Sequence, residues 1–270
     1  MSQLLQMEAV PFDLNTGTTE FYDNPEIYDH EFRRYVKDKR FYLNMGKSIN
    51  GPVLEFGCGS GRLLYNWVKA GIEVQGIDLN SHMLEKADKK LRHLGRKKTS
   101  LWKLKEGDMR FTGVEKKYPL IVSAFNSMMH LYEYSDMDTF LENVKSHMEK
   151  DSTFIFDILN PDFRWLLRDP ARHWARTRFK HPWYNCWYYY TTNHYYDAAT
   201  QISYVYIYHQ SVTEGEGPSY MLRFAHRFYY PQEIQYILKR HGFRLDGYFG
   251  NFDGSDLEID SPSQIYICGI

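Results

Sequence analysis

Cysteine is scarce in this chain of 270 residues, which contains only Cys58, Cys186 and Cys268. They lie far apart, form no Cys-x-x-Cys pair and are odd in number, so the sequence predicts neither a disulfide framework nor a structural zinc site. Scattered thiols of this kind are typical of a reducing compartment. Histidines and cysteines are not clustered at metal-ligand spacing, and we expect no bound metal.

Long apolar runs and a strong net charge are also missing. No segment approaches the roughly 20 apolar residues that a membrane-spanning helix needs. The N-terminus lacks the basic start and apolar core of a secretion signal, so we expect a cytoplasmic protein without a membrane partner. The formal net charge is -1 at pH 7, which gives no strong nucleic-acid signature.

Aromatic residues, by contrast, are abundant. Phe, Trp and Tyr make up 17% of the chain, and 23 residues are Tyr. They are unevenly spread and enriched in residues 174–230, which makes this region a candidate homodimer interface, because aromatic side chains are enriched at such surfaces. The hydrophobic content of 43% is sufficient for one sizeable α/β domain with an insertion.

The most informative segment reads Val-Leu-Glu-Phe-Gly-Cys-Gly-Ser-Gly over residues 53–61. An apolar strand runs into Gly57, Gly59 and Gly61, and glycines at alternate positions let the backbone turn into a helix and approach a ligand closely. Further along, Asp78 ends a second strand, where a carboxylate can accept hydrogen bonds from both hydroxyls of a ribose. The pair predicts a nucleoside-containing ligand across the carboxyl ends of two adjacent parallel strands.

The glycine spacing separates this loop from two other nucleotide-binding loops. A dinucleotide fingerprint is Gly-x-Gly-x-x-Gly, and its last position falls here on Arg62 or Leu64. No Lys-Ser/Thr pair follows the loop, which excludes a P-loop phosphate cradle. A nicotinamide oxidoreductase is therefore the weakest of the functional interpretations.

Strand and helix patterns alternate five times up to residue 160, which predicts a parallel sheet covered on both faces. The pattern breaks at Pro161. Three segments rich in Tyr and Trp, with turn signals between them, then predict an antiparallel sheet: 187–196, 202–211 and 220–230. Pro231 begins a further helix, and two final strands follow.

The motif Glu55-x-Gly57-x-Gly59-x-Gly61 resembles the first motif of the class I S-adenosylmethionine-dependent methyltransferases. Four other segments resemble signatures of the small-molecule members: Tyr22-Asp23-x-Pro25-x-x-Tyr28-Asp29, Gly107-Asp108-Met109-Arg110, Phe125-Asn126-Ser127-x-x-His130 and Phe252-Asp253-Gly254-Ser255. The resemblance covers nearly all of the chain from Tyr22 onward, and glycine, sarcosine and amino-sugar N-methyltransferases are relatives with this layout. It implies S-adenosylmethionine as the methyl donor and S-adenosylhomocysteine as the product.

The predicted fold class is α/β, a Rossmann-like, seven-stranded, mostly parallel sheet with an antiparallel β lid inserted after strand five. Residues 1–50 are predicted to form an N-terminal capping segment and helix, and the first 18 of them look loose and polar. Residues 51–160 and 231–270 are predicted to form the cofactor-binding core. Residues 161–230 are predicted to form the lid, which would cover the carboxyl edge of the sheet and bind the acceptor.

The resemblance also implies a set of cofactor contacts: Tyr22, Glu55, Gly57, Cys58, Gly59, Gly61, Asp78, Leu79, Met83, Asp108, Met109, Phe125 and Asn126. Asp108 can accept the exocyclic N–H of adenine while the backbone N–H of Met109 donates to the ring. Met83 can lie against the adenine face or belong to the core, and Phe125 can lie beside the cofactor at the end of strand four or belong to the core.

Tyr22, Tyr28 and His130 are the candidate catalytic residues. The two tyrosines lie in the capping segment, where aromatic faces and hydroxyls can stabilise a sulfonium. An imidazole has an unperturbed pKa near ~6.5, so His130 is either a base for the acceptor or a helix-start residue bonded to backbone. Five basic residues lie on or beside the lid strands, and strand alternation predicts that most are not ligands: His181, His194, His226, Arg223 and Arg227.

The predicted reaction is in-line transfer of a methyl group to nitrogen or oxygen of a small polar metabolite, with nitrogen slightly favoured. A transfer RNA methyltransferase remains an alternative, although Ala124-Phe125-Asn126-Ser127 lacks the Asn/Asp-Pro-Pro-aromatic run used on base amines. A non-catalytic protein that binds S-adenosylmethionine as a sensor or scaffold is the alternative from another class.

Overall fold

The computed structural model describes residues 7–270, which divide into two compact units. The small unit combines residues 7–31 with Pro161–Phe228, and the large unit combines Phe32–Asn160 with Tyr229–Ile270. The first six residues of the predicted capping segment lie outside the described range.

The strands are β1 (Val53–Phe56), β2 (Val74–Asp78), β3 (Trp102–Glu106), β4 (Leu120–Ser123), β5 (Thr153–Leu159), β6 (Trp174–Lys180), β7 (Trp187–Asp197), β8 (Ile202–Ser211), β9 (Tyr220–Arg227), β10 (Arg244–Phe249) and β11 (Ser263–Gly269). The α-helices are α1 (Leu14–Thr19), α2 (Pro25–Glu31), α3 (Lys37–Ile49), α4 (Leu64–Lys69), α5 (Ser81–Arg92), α6 (Tyr134–Ser146), α7 (Phe163–Leu166) and α8 (Pro231–Arg240).

The large unit contains a seven-stranded sheet in the order β10-β11-β5-β4-β1-β2-β3. β1 to β5 pair in parallel, whereas β11 runs antiparallel to both β5 and β10. All residues of β1 and β4 are buried, as expected for central strands covered on both faces. The predicted Rossmann-like sheet, with its closing antiparallel strand pair, is confirmed.

The helices of the large unit begin where the sequence supplies capping groups. The side chain of Asn80 caps α5 by accepting a hydrogen bond of 3.1 Å from the backbone N–H of Met83. α8 begins at Pro231, whose missing N–H costs nothing in the first turn. The helix predicted within residues 1–50 is interrupted, because α2 ends at Glu31 and a short 3-10 turn precedes α3.

The small unit contains a four-stranded antiparallel sheet in the order β6-β7-β8-β9. The three predicted strands correspond to β7, β8 and β9, and β6 was not predicted. Most residues of β6 are exposed, and it contains Arg176, Arg178 and Lys180. An edge strand with little buried surface carries no alternation of apolar and polar residues, which is why the sequence pattern misses it.

Residues 10–20 are held in place, whereas the sequence predicted a loose segment up to residue 18. The carboxylate of Asp13 caps α1 by accepting the backbone N–H of Thr16 at 2.9 Å. The hydroxyl of Tyr206 donates to the carbonyl oxygen of Val10, and Arg223 pairs with Glu20 at 2.5 Å. These contacts tie residues 10–20 to the four-stranded sheet of the same unit.

Burial in this sheet exceeds what strand alternation predicts. His181, His194 and Arg227 are all buried, although alternation was expected to turn some of the basic residues of the region toward solvent. The ring of His194 stacks on that of Trp165, with 3.9 Å between the ring centroids. Trp165 belongs to α7, which precedes the strands of this sheet in the chain. Both faces of the sheet are covered by other segments of the small unit, so strand alternation does not separate buried from exposed positions here.

Candidate active site

The glycine loop follows β1 and adopts a backbone that side chains rarely tolerate. Gly57, Gly59 and Gly61 have φ angles of 70°, 53° and 74°. A Cβ atom on Gly57 would lie 2.5 Å from Oγ of Ser127, and one on Gly61 would lie 3.0 Å from Cβ of Ala87. A Cβ on Gly59 would meet no heavy atom of residues 7–270 within 4 Å. Gly57 and Gly61 therefore allow close packing, whereas Gly59 exposes its backbone to open space.

Asp78 holds this loop in place from the end of β2. Its Oδ2 accepts the backbone N–H of Gly59 at 2.6 Å, and its Oδ1 accepts that of Asn80 at 2.9 Å. Burial raises the pKa of this carboxyl, and the two backbone N–H groups oppose the rise. Each oxygen retains a further acceptor site, so the carboxylate can still take hydroxyl hydrogens.

Four strand ends bring most of the predicted cofactor residues to one edge of the sheet. The backbone N–H of Gly107 donates to the carbonyl of Asp78 at 2.9 Å, which joins the end of β2 to the turn after β3. The hydroxyl of Ser127 lies 3.3 Å from the carbonyl oxygen of Gly57, which joins the glycine loop to the turn after β4. The loop, Asp78, Asp108 and the pair Phe125-Asn126 thus belong to one region of the large unit.

Asp108 and Met109 are both engaged within the protein. The guanidinium of Arg110 donates to both carboxylate oxygens of Asp108, at 3.1 Å and 2.6 Å, and lowers the pKa of that carboxyl together with the backbone N–H of Arg110, although burial opposes them. The side-chain amide of Asn143 donates to the carbonyl of Met109 at 2.8 Å. Arg110 and Asn143 were not predicted, and they fix the orientation of the turn.

The remaining positions near the loop differ in exposure. Met83 is fully buried in α5, whereas Leu79 is an exposed apolar residue. Cys58 is buried and its pKa is raised, mainly by burial and also by Asp78 and Glu55, which gives an inert thiol. The burial of Met83 is compatible with both of its predicted roles, and Leu79 offers an apolar surface beside Asp78.

Glu55 lies in the middle of β1, behind the loop. It is buried, and its Oε2 has no hydrogen-bond partner among residues 7–270. Burial raises its pKa well above the usual range, Arg62 opposes the rise, and the neighbouring carboxylates of Asp38, Asp78 and Asp157 add to it. Glu55 is thus part of a buried charge cluster under the loop.

Arg62 balances that cluster and was missed by the sequence analysis. Its guanidinium donates two hydrogen bonds to the fully buried carboxylate of Asp38, at 2.8 Å and 2.5 Å. The guanidinium carbon also lies 4.5 Å from the centre of the Phe125 ring. A bidentate ion pair that also stacks on an aromatic ring fixes both partners.

Phe125 and Asn126 follow β4 in a strained conformation. Their φ angles are 55° and 68°, which non-glycine residues adopt at a cost. Asp157 on β5 maintains this turn, because its Oδ1 accepts the backbone N–H of Phe125 at 3.0 Å. The same oxygen accepts the hydroxyl of Tyr42 at 2.5 Å, and burial raises the pKa of Asp157 to about 6. The sequence signal for this contact was the position of Asp157, which is an acid inside the apolar run 153–159.

His130 ends the 3-10 turn Ser127–His130 that follows β4. Its Nδ1 lies 3.2 Å from the hydroxyl of Tyr132. Burial lowers the pKa of His130 to about 4, well below the unperturbed value assumed from the sequence. The imidazole is therefore neutral at pH 7 but is a weaker proton acceptor than expected.

Tyr22 and Tyr28 belong to the small unit. Their ring centres lie 5.8 Å apart, and Phe21 lies 5.5 Å and 5.8 Å from them. The three rings form one aromatic cluster in the capping segment. The catalytic role of the two tyrosines stays a prediction.

Within residues 7–270, no group of three or more His, Cys, Asp or Glu side chains is arranged to hold a metal ion. Over the same range, none of the helices combines the length and the apolar character that a membrane crossing requires.

Residues 54–154 match the family model described as a methyltransferase domain. This segment is similar to methyltransferase domains. The domain spans the glycine loop, Asp78, Asp108 and His130, which is the region assembled above. No protein of curated function matches the sequence significantly.

Solved structures share the fold over nearly the whole chain. An S-adenosylmethionine-dependent methyltransferase from Clostridium acetobutylicum has a TM-score of 0.74 at 18% identity, covering 93% of this chain and 98% of that one. The glycopeptide N-methyltransferase MtfA has a TM-score of 0.59 at 18% identity, covering 88% and 92%. CalS10, an amino pentose methyltransferase from Micromonospora echinaspora solved with S-adenosylmethionine, has a TM-score of 0.67 at 13% identity, covering 97% and 99%. The predicted fold is confirmed, and the match to the methyltransferase family model supports the predicted enzyme class.

Proposed function

We propose that the protein transfers a methyl group from S-adenosylmethionine to nitrogen or oxygen of a small molecule. The observation that carries the proposal is the open space beside Gly59, whose backbone N–H is held by Asp78 at 2.6 Å. A loop built to approach a ligand, fixed by an acid that retains acceptor capacity, suits a ligand with a ribose and an amino acid end.

The donor supplies an electrophilic methyl group on a sulfonium. The chain's own residues would position it: Asp78 through the ribose hydroxyls, Asp108 and Met109 through the adenine, and Glu55 with the loop glycines around the amino acid end. Phe125 and Asn126 would contribute the turn after β4. The rate would then come mainly from holding donor and acceptor in line in a dry site.

Nitrogen is the favoured acceptor atom. Two of the similar structures support this choice by their names, since one is a glycopeptide N-methyltransferase and another an amino pentose methyltransferase. An amine needs no strong base once it arrives unprotonated, which agrees with the lowered pKa of His130. We propose that the small unit, residues 161–228 together with Tyr22 and Tyr28, supplies the acceptor-binding surface.

Location and assembly complete the proposal. The three cysteines are free thiols, which supports a cytoplasmic location.

Trp183, Tyr184 and Trp187 are exposed on the small unit, which supports a homodimer through this aromatic surface. Light scattering of the purified protein would measure the mass, and a monomer at micromolar concentration would contradict the dimer.

Isothermal titration calorimetry with S-adenosylmethionine, S-adenosylhomocysteine and NAD tests the cofactor proposal. We expect binding of the first two and none of NAD. Incubation with a methyl-labelled donor and a metabolite extract, followed by mass spectrometry, then tests transfer. Labelling of small molecules supports the proposal, labelling of added transfer RNA in its place would contradict it, and donor binding without any turnover would indicate a sensor.

A further inference from the structure

A second polar cluster lies within the small unit and has no part in the site described above. It consists of Glu31 at the end of α2, Tyr190 on β7 and His209 on β8. The hydroxyl of Tyr190 donates to Oε1 of Glu31 at 2.9 Å. Tyr190 and His209 are opposite each other in the β7–β8 ladder, with ring centres 5.8 Å apart.

Two atoms of this cluster are buried without a hydrogen-bond partner among residues 7–270. They are Oε2 of Glu31 and Nδ1 of His209. His209 as a whole is 2% exposed. Buried polar atoms are normally paired, so two unpaired ones in the same cluster indicate a place where a ligand supplies the missing hydrogen bonds.

Aromatic rings enclose the same position. The ring of His209 lies 5.3 Å from Phe179 and 4.9 Å from Tyr220, measured between centroids. The hydroxyl of Tyr220 is in turn fixed by Nε2 of the buried His181 at 2.7 Å. Aromatic faces around His209, beside its unpaired Nδ1, favour an organic cation through attraction between the cation and the rings.

The electrostatics agree with a cationic ligand. Burial raises the pKa of Glu31 to about 7, and the hydrogen bond from Tyr190 opposes the rise only in part. Burial lowers the pKa values of His181 and His209 to about 4 and about 3, so both imidazoles are neutral. The other ionisable groups facing the cluster are His30 on α2 and Tyr220 on β9.

We propose that Glu31, Tyr190 and His209 form a subsite for the ammonium group of a small amine. Oε2 of Glu31 would accept one N–H of the ammonium, Nδ1 of His209 would accept another, and the surrounding rings would cover its apolar side. The inference rests on the proposed function only in taking this amine as part of the methyl acceptor; an ammonium has no lone pair, so the group held here is not the atom that is methylated. Amine binding itself does not depend on methyl transfer.

The proposal predicts that binding releases a proton. Without ligand, a carboxyl of pKa about 7 is roughly half protonated at pH 7. An ammonium group beside Oε2 lowers that pKa, so the carboxyl ionises and its proton passes to the buffer. About half a proton per bound amine is expected at pH 7.

Calorimetry with two matched pairs of probes tests the subsite: benzylamine against benzyl alcohol, and glucosamine against glucose. We expect at least one amine to bind tenfold or more tightly than its neutral partner. The heat should differ between phosphate and Tris buffers in the direction of proton release. No difference within either pair, or no proton release, would overturn the proposal.

Variants separate the subsite from the cofactor site. Glu31→Gln should remove the preference for the amine and the proton release, and Glu214→Gln, in an exposed loop of the same unit, should change neither. His209→Phe is a second variant that keeps the aromatic enclosure and should weaken amine binding. S-adenosylmethionine binding should be unchanged in all three variants. Amine binding by Glu31→Gln at the wild-type level would overturn the subsite and leave the cofactor proposal intact.

Discussion

The backbone N–H of Gly59 donates to the carboxylate of Asp78 across 2.6 Å, and this contact joins the glycine loop to the end of the neighbouring strand. Gly59 also has open space where a side chain would begin, although its φ angle of 53° belongs to the left-handed region. Asp78 therefore supports the loop besides its proposed contact with the ribose.

Gly59→Ala should abolish donor binding at a moderate cost in stability. An alanine in a left-handed conformation costs about 1–2 kcal/mol of the free energy of unfolding. Its methyl group would also occupy the space assigned to the ligand. Gly242→Ala is the matched control, because Gly242 has a φ of 77° and similarly open surroundings at the end of α8. Equal donor affinity in the two variants, measured by calorimetry, would contradict the assignment of the loop.

His130→Gln should lower kcat by less than tenfold. General base catalysis typically contributes about 10²–10⁴, but a histidine whose pKa is about 4 is a weak base at neutral pH. The dependence of kcat on pH should also be the same in the wild type and the variant, with no inflection near pH 6.5 that is lost on substitution. A hundredfold loss with unchanged donor affinity would restore His130 as the base.

Arg62→Met should destabilise the large unit strongly. It leaves the fully buried carboxylate of Asp38 without its bidentate partner, and an uncompensated buried charge costs roughly 3–5 kcal/mol. The double variant Arg62→Met with Asp38→Asn should recover much of that loss, because no charge is then left unpaired. Chemical unfolding of the two variants measures the difference, and an equally unstable double variant would show that packing on Phe125 matters more than charge.

Asp157→Asn should change how stability depends on pH. The folded state raises the pKa of Asp157 from 3.8 to about 6. The contribution of the protonated carboxyl to the free energy of unfolding is therefore fully present below pH 3.8 and is lost as the pH rises through 6. The asparagine oxygen can still accept from Tyr42 and Phe125 and does not titrate. The variant should therefore gain roughly 3 kcal/mol relative to the wild type between pH 4 and pH 7. Parallel unfolding curves at every pH would contradict the raised pKa.

Several features of the protein follow from the sequence by itself. Gly57, Gly59, Gly61 and Asp78 stand at fixed spacing on two strands with short connections, so their association is a local consequence of the β1–α4–β2 unit. The alternation of strand and helix likewise determines the parallel sheet, because each buried strand needs a crossover helix to reach the next parallel strand. The capping group Asn80 and the helix-starting Pro231 act within a single turn, and the helix start at Pro231 was predicted correctly.

Other features depend on contacts between residues far apart in the chain. Asp157 reaches Tyr42 and Phe125, and Arg62 reaches Asp38, so no window of sequence reveals that these groups share one buried cluster. The pKa of His130 was misjudged for the same reason, since the packing around the imidazole determines its desolvation. The strand β6 and the ordered segment 10–20 owe their structure to the sheet against which they pair or pack, and not to a pattern of their own. Tertiary structure alone thus determined the charges of the buried groups, because burial depends on neighbours that the fold brings together.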